Sequence, residues 1–378
     1  MPEASQNNFI SRAVIAGCFL GVVSCVYSRV TPGDTLKLLN NLRLGVEAHY
    51  GYVYPHHSSI AYSLESRIAS LELNVTTDTY GRGLWDELYR FPRMGAGYFY
   101  TSLGNNDVFG HAHALFLFMD VPFSSRMKKF RSFYRIGFGA AWLTKTFDVE
   151  TNPKNIAISS GINMYVNFRY SGRLRLNDRN EIAAGFGFTH FSNGKLATPN
   201  LGINCVTLHA GWYVDLVADR YSRIVADAKK KLKKHSVEVI LSGGTKTDDQ
   251  ISGNYYLISS LVVDYKYVPW MKYSFGAGMD VFYDRSLGPN KVGDVGGTYN
   301  RSDLYQLGMH AGFYSRYSKL TIVMQLGTYL YADYYKYSRI YSRIGIRYEV
   351  WRNILVNFSL KSHRATADFL EWGIGYRF

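Results

Sequence analysis

One short segment carries residue types that could do covalent chemistry: Thr189-His190-Phe191-Ser192-Asn193-Gly194, with Asn204 twelve positions beyond Ser192. A serine hydroxyl is a weak nucleophile until a base takes its proton. His190, two residues earlier, can accept that proton during attack and return it to a leaving alcohol. An amide at Asn204 can hold the other ring nitrogen and so fix the tautomer and ring orientation, as an amide does in some cysteine proteases. The backbone N–H groups of Asn193 and Gly194, or the Asn193 amide, can stabilise the oxyanion of a tetrahedral intermediate. This set suits hydrolysis of a carboxylic ester. It needs no cofactor and no metal.

Strand alternation decides whether these groups meet. Leu42, Leu44, Val46, Ala48, Tyr50, Tyr52 and Tyr54 alternate with Arg43, Gly45, Glu47, His49, Gly51 and Val53. At the other end of the sequence Leu370, Trp372, Ile374, Tyr376 and Phe378 alternate with Glu371, Gly373, Gly375 and Arg377. Period two defines strands. Charged and small residues on one face, with aliphatics and aromatics on the other, suit a barrel with lipid outside and a polar inside. His190 and Ser192 share the face of Ile182, Ala184, Phe186 and Phe188, which points them toward lipid. A hairpin centred near Ala197 sets Asn204 opposite His190 and Gly202 opposite Ser192. Polar groups against hydrocarbon cost free energy unless they are paired and useful.

Similar alternation recurs in sixteen stretches along the 378 residues. The expected fold is all-β: one continuous transmembrane antiparallel barrel of about 14–16 strands, with two barrels as the less favoured closure. The expected organisation is a signal peptide over 1–28, eight strands over 41–216, a basic connector over 217–236 and further strands over 237–378, ending on Phe378. Arg12 followed by the apolar run Ala13 to Tyr27 gives the signal-peptide pattern. Lys229-Lys230-Lys231 and Lys233-Lys234 give the connector its charge. With odd strands running outward from the periplasm, Ser192 ends a strand on the external side.

His190-Phe191-Ser192-Asn193, with the turn Pro199-Asn200-Leu201-Gly202, resembles the signature of the outer-membrane lipid A 3-O-deacylase family. The resemblance implies His190 as base, Ser192 as nucleophile and Asn193 as an oxyanion ligand. It implies residence in the bacterial outer membrane and lipid A or another acylated membrane lipid as partner. The family orients its histidine with a Glu, where this sequence has Asn204. The segment is also similar to outer-membrane phospholipase A, which places an orienting Asn at that offset. That enzyme's calcium-binding Asp and Ser have no match in the turn, where Ala197 and Asn200 stand.

Composition narrows the alternatives. With 32 Tyr, 22 Phe and 6 Trp the chain is too aromatic to be a disordered tail. Three cysteines are too few for a disulfide framework. A formal charge of +14 would suit nucleic acid, but outward-facing apolar alternation excludes it as the expected partner and favours lipid phosphates. His111 and His113 have no acidic or cysteine neighbour to complete a metal site, and are expected to be structural or to face the lumen. His56 and His57 are expected to be solvated in an external loop. Cys205 is expected to face the lumen. A phospholipase and a non-enzymatic channel or assembly barrel remain the alternative functions.

Overall fold

The computed structural model describes residues 42–79, 84–124, 129–216, 233–247, 254–364 and 366–378. The expected signal peptide lies outside them, as does most of the expected basic connector. Sixteen strands form in the described residues. They close as two eight-stranded antiparallel barrels rather than as one continuous barrel.

The first barrel comprises β1 (Leu42–Val53), β2 (Ile68–Asp78), β3 (Arg93–Ser102), β4 (His111–Pro122), β5 (Phe130–Leu143), β6 (Ile162–Arg175), β7 (Asn180–Ser192) and β8 (Ile203–Asp215). It closes because β8 pairs back onto β1, from Arg43 opposite Asp215 to Val53 opposite Cys205. That pairing leaves no open edge on β8 to receive a ninth strand. The second barrel comprises β9 (His235–Thr247), β10 (Tyr255–Tyr267), β11 (Tyr273–Asp284), β12 (Tyr305–Tyr317), β13 (Leu320–Ala332), β14 (Ile340–Trp351), β15 (Ile354–His363) and β16 (Thr366–Arg377). Here β16 returns to β9, from Trp372 opposite Gly243 to Arg377 opposite Glu238. Thus β9 begins at His235, inside the range expected for the connector.

Alternation sets the faces in both units. In β1, Leu44, Val46, Tyr50 and Tyr52 are exposed while Arg43, Glu47 and His49 are buried. In β16, Ile374 and Tyr376 are exposed and Glu371 is buried, and Phe378 just beyond it is exposed. The interiors are polar but filled. In the first barrel Arg169 binds Glu47 at 2.5 Å and Glu72 at 2.9 Å, while Arg135 binds Glu72 at 2.7 Å and Asp120 at 2.5 Å. In the second, His310 binds Asp264 and Asp280 at 2.6 Å each, and Arg343 binds Asp280 at 2.8 Å and Glu371 at 2.5 Å. Paired, hydrogen-bonded charges of this kind are how a narrow barrel fills its centre without leaving charge unmatched.

The first barrel's two ends differ. One end is filled by apolar and aromatic side chains, among them Phe99, Phe116, Tyr165, Phe191, Ile203 and Cys205. Tyr165 packs edge-on to Phe191 at 5.7 Å and close to Phe116 at 4.7 Å. The connections 54–67, 103–110, 144–161 and 193–202 lie at the end where β7 finishes; residues 84–92, which include a short helix Leu84–Leu88, and the turn 176–179 lie at the other.

Candidate active site

The β7–β8 hairpin builds the site. His190 lies directly opposite Asn204, as the sequence register requires. The ladder ends one step further on, at Phe191 opposite Ile203, so Gly202 does not pair with Ser192. Phe191 and Ile203 point inward and are almost fully buried, at 0% and 1% exposure. Their burial fixes the strand ends, and the pleat then turns His190, Ser192 and Asn204 to the outer face. Cys205 also points inward and is fully buried, as expected.

The imidazole and the amide are joined: His190 Nδ1 lies 2.6 Å from Asn204 Oδ1. The carbonyl oxygen can only accept, so Nδ1 carries the proton and donates. Among the described residues this is the ring's one hydrogen bond to a side chain. Gly202 lets the ring sit where it does. Its φ is +78°, and a Cβ there would lie 2.8 Å from His190 Cε1.

Ser192 is buried to 5% exposure, and its Oγ accepts from the Asn200 amide at 2.9 Å. The same Asn200 accepts, through Oδ1, from the Asn193 backbone N–H at 3.2 Å. The Asn193 side-chain amide donates to the Ser159 and Ser160 hydroxyls at 3.2 and 3.1 Å. This ties the hairpin to the 144–161 connection. That connection is itself ordered by Asp148, whose carboxyl takes the N–H and hydroxyl of Thr151 and the N–H of Glu150. Those bonds hold the Asp148 carboxyl below the usual carboxylate range. Gly194, next in the turn, has φ +64°, a left-handed conformation natural to glycine.

Two site neighbours escaped the sequence reading. Asn200 was legible only as a turn residue. His56, expected to be merely solvated, places Nδ1 2.9 Å from Asn204 Nδ2 and Nε2 2.9 Å from the Leu201 carbonyl. Barrel closure brings it there: Tyr54 N–H donates to the Asn204 carbonyl at 2.7 Å, and His56 follows two residues later.

His111 and His113 take the structural of their two expected roles. They face outward rather than into the lumen, because Ala112 and Ala114 take the interior positions of β4. Their Nδ1 atoms pair with Tyr100 Oη at 3.1 Å and Tyr98 Oη at 2.8 Å. Glu47, His49 and Glu72 bring three ligand atoms within 4.8 Å of one another. The guanidiniums of Arg169 and Arg135 already neutralise those carboxylates, so the set is built as an ion-pair centre rather than a metal site.

In the second barrel, the equivalent seventh strand ends Lys361-Ser362-His363, where Ser and His are adjacent rather than two apart. Lys361 binds Asp368 at 2.7 Å, and His363 Nε2 meets Tyr329 Oη at 3.0 Å. The His-x-Ser spacing of β7 is not repeated at the end of that strand.

Closed barrels with apolar outer walls and charged interiors define the class: outer-membrane β-barrel proteins. Residues 69–213 match the lipid A 3-O-deacylase (PagL) model, and residues 235–378 match the acyloxyacyl hydrolase C-terminal domain. One matched segment thus falls on each barrel. No curated protein matches it in sequence. Among solved structures, the outer membrane enzyme PagL is 16% identical, with 44% of this chain and 97% of that chain covered and a TM-score of 0.32. Neisserial surface protein A is 7% identical, with 46% and 97% covered and a TM-score of 0.31. Omp33 of Acinetobacter baumannii is 8% identical, with 90% and 99% covered and a TM-score of 0.17.

Proposed function

We propose that the first barrel hydrolyses an ester-linked acyl chain of lipid A or a related acylated glycolipid, with Ser192 as nucleophile, His190 as base and Asn204 as orienter. The observation that carries this reading is the His190–Asn204 hydrogen bond beside Ser192 on the outward face. A substrate whose acyl chains stay in the membrane reaches that face laterally and needs no deep pocket.

In the reaction, Ser192 Oγ attacks the ester carbonyl while its proton passes to His190 Nε2. The imidazolium that forms keeps its Nδ1–H on Asn204 Oδ1. The tetrahedral oxyanion collapses, the sugar alkoxide leaves and takes the proton from Nε2, and the acyl chain remains on Oγ. Water, deprotonated by the same nitrogen, then releases the fatty acid and restores the hydroxyl. Oxyanion donors come from Asn193 and Gly194. The Asn193 donors are held by Asn200, Ser159 and Ser160, so the ester carbonyl exchanges for one of those partners. The Asn200 amide, already 2.9 Å from Oγ, supplies a further N–H at the reacting oxygen.

The test is expression in a bacterium of defined lipid A, with mass spectrometry of the extracted lipid. The wild-type chain is expected to yield lipid A lacking one acyl chain, and Ser192→Ala none. Equal loss in both strains, or in neither, overturns the assignment. The runner-up is a phospholipase, favoured by an amide rather than a carboxylate as orienter. Labelled phospholipid supplied in parallel separates the two, since only the phospholipase would release labelled fatty acid. A channel is disfavoured by the ion pairs that fill both interiors.

A further inference from the structure

We propose that His56 is a positioning residue for this site, setting the direction of every hydrogen bond between the first connection and the base. The inference rests on the assignment of His190 and Ser192 above. It starts from one group whose role is not adjustable, the Leu201 carbonyl, which can only accept. His56 Nε2, 2.9 Å away, therefore carries the proton. Neutral His56 is then bare at Nδ1 and accepts from Asn204 Nδ2 at 2.9 Å. With its nitrogen committed there, Asn204 can only turn Oδ1 toward His190, which donates from Nδ1 at 2.6 Å. His190 is thereby left bare at Nε2, the nitrogen that must take the serine proton.

The orientation matters because an amide has one accepting end and one donating end. A carboxylate at position 204 would accept through either oxygen and need no second partner. An amide without His56 can turn over and present Nδ2 to His190. Nδ1 would then have to be the bare nitrogen and Nε2 the protonated one, and the base would be disabled. His56 is held for this task from both sides. Tyr54 N–H extends the β1–β8 ladder onto the Asn204 carbonyl at 2.7 Å. Directly after it, His57 caps the short helix α1 (Ser58–Tyr62), whose Ile60 is buried to 1% exposure.

The experiment compares purified full-length wild type, Ser192→Ala, His56→Leu and His56→Asn on lipopolysaccharide in detergent micelles. Folding of each is checked by heat-dependent gel mobility. His56→Leu removes the acceptor; His56→Asn restores one near the Nδ1 position. The expected result is a fall in kcat of about tenfold for His56→Leu with KM unchanged. His56→Asn should recover most of that loss. Wild-type kcat in His56→Leu, or equal impairment in His56→Asn, overturns the role of His56 while leaving Ser192 standing. An active Ser192→Ala overturns both. Should His56→Leu fail to fold, imidazole nitrogen NMR of the wild type decides: a proton on His56 Nε2 and His190 Nδ1 supports the chain of bonds, and the opposite tautomers overturn it.

Discussion

In the proposed reaction Ser192, His190 and Asn204 divide the chemistry among three side chains, and each substitution should fail differently. Ser192→Ala removes the nucleophile, and activity should fall by at least about a thousandfold in a single-turnover assay. Asn204→Ala leaves nucleophile and base in place but frees the ring, so kcat should fall while KM holds. Gly202→Ala puts a methyl group 2.8 Å from His190 Cε1 at a φ of +78°. It should lower kcat by displacing the His190 ring, with every reacting group still present. Activity should also fall on the acid side as the His190 ring takes up a proton and can no longer accept one from Ser192. The facing of His190 and Asn204 was legible because hairpin register alone sets them opposite each other, and strand parity puts Ser192 on the same face as His190. Asn200 and His56 were not, since both act from connections, where no period relates sequence to direction.

At the scale of the element, the β7–β8 hairpin works because its inward residues anchor its outward ones. Phe191→Ala should cost about 3–5 kcal/mol of stability, measured by urea unfolding in micelles, as expected for a fully buried aromatic. It should also loosen Ser192, its neighbour in the strand. The sixteen alternating stretches were legible as strands, and sixteen form in the described residues. The facing of β4 was not. Histidine carries no fixed preference for either face, and only the burial of Ala112 and Ala114 shows that His111 and His113 point outward.

For the whole molecule, alternation tells inside from outside but not which strand a terminal strand pairs with. Sixteen strands could be counted, yet closure of β8 onto β1 is a contact between distant residues that no local pattern records. Closure makes each barrel complete in its hydrogen bonding. Residues 1–216 expressed alone should therefore fold and retain the deacylation chemistry, as read by gel mobility and lipid analysis. Arg169 sits between Glu47 and Glu72 in the centre of that barrel. Arg169→Met would leave buried charge unmatched, at a cost of about 3–5 kcal/mol in the same unfolding assay.

The most direct measurement is covalent capture of the nucleophile. A long-chain alkyl sulfonyl fluoride, presented to the full chain in outer membranes, should sulfonylate Ser192 with loss of fluoride, and peptide mapping should find the adduct there. His190→Ala should abolish it. An adduct on another residue, or labelling of Ser192 that persists without His190, would contradict a serine activated by that imidazole on the barrel's outer wall.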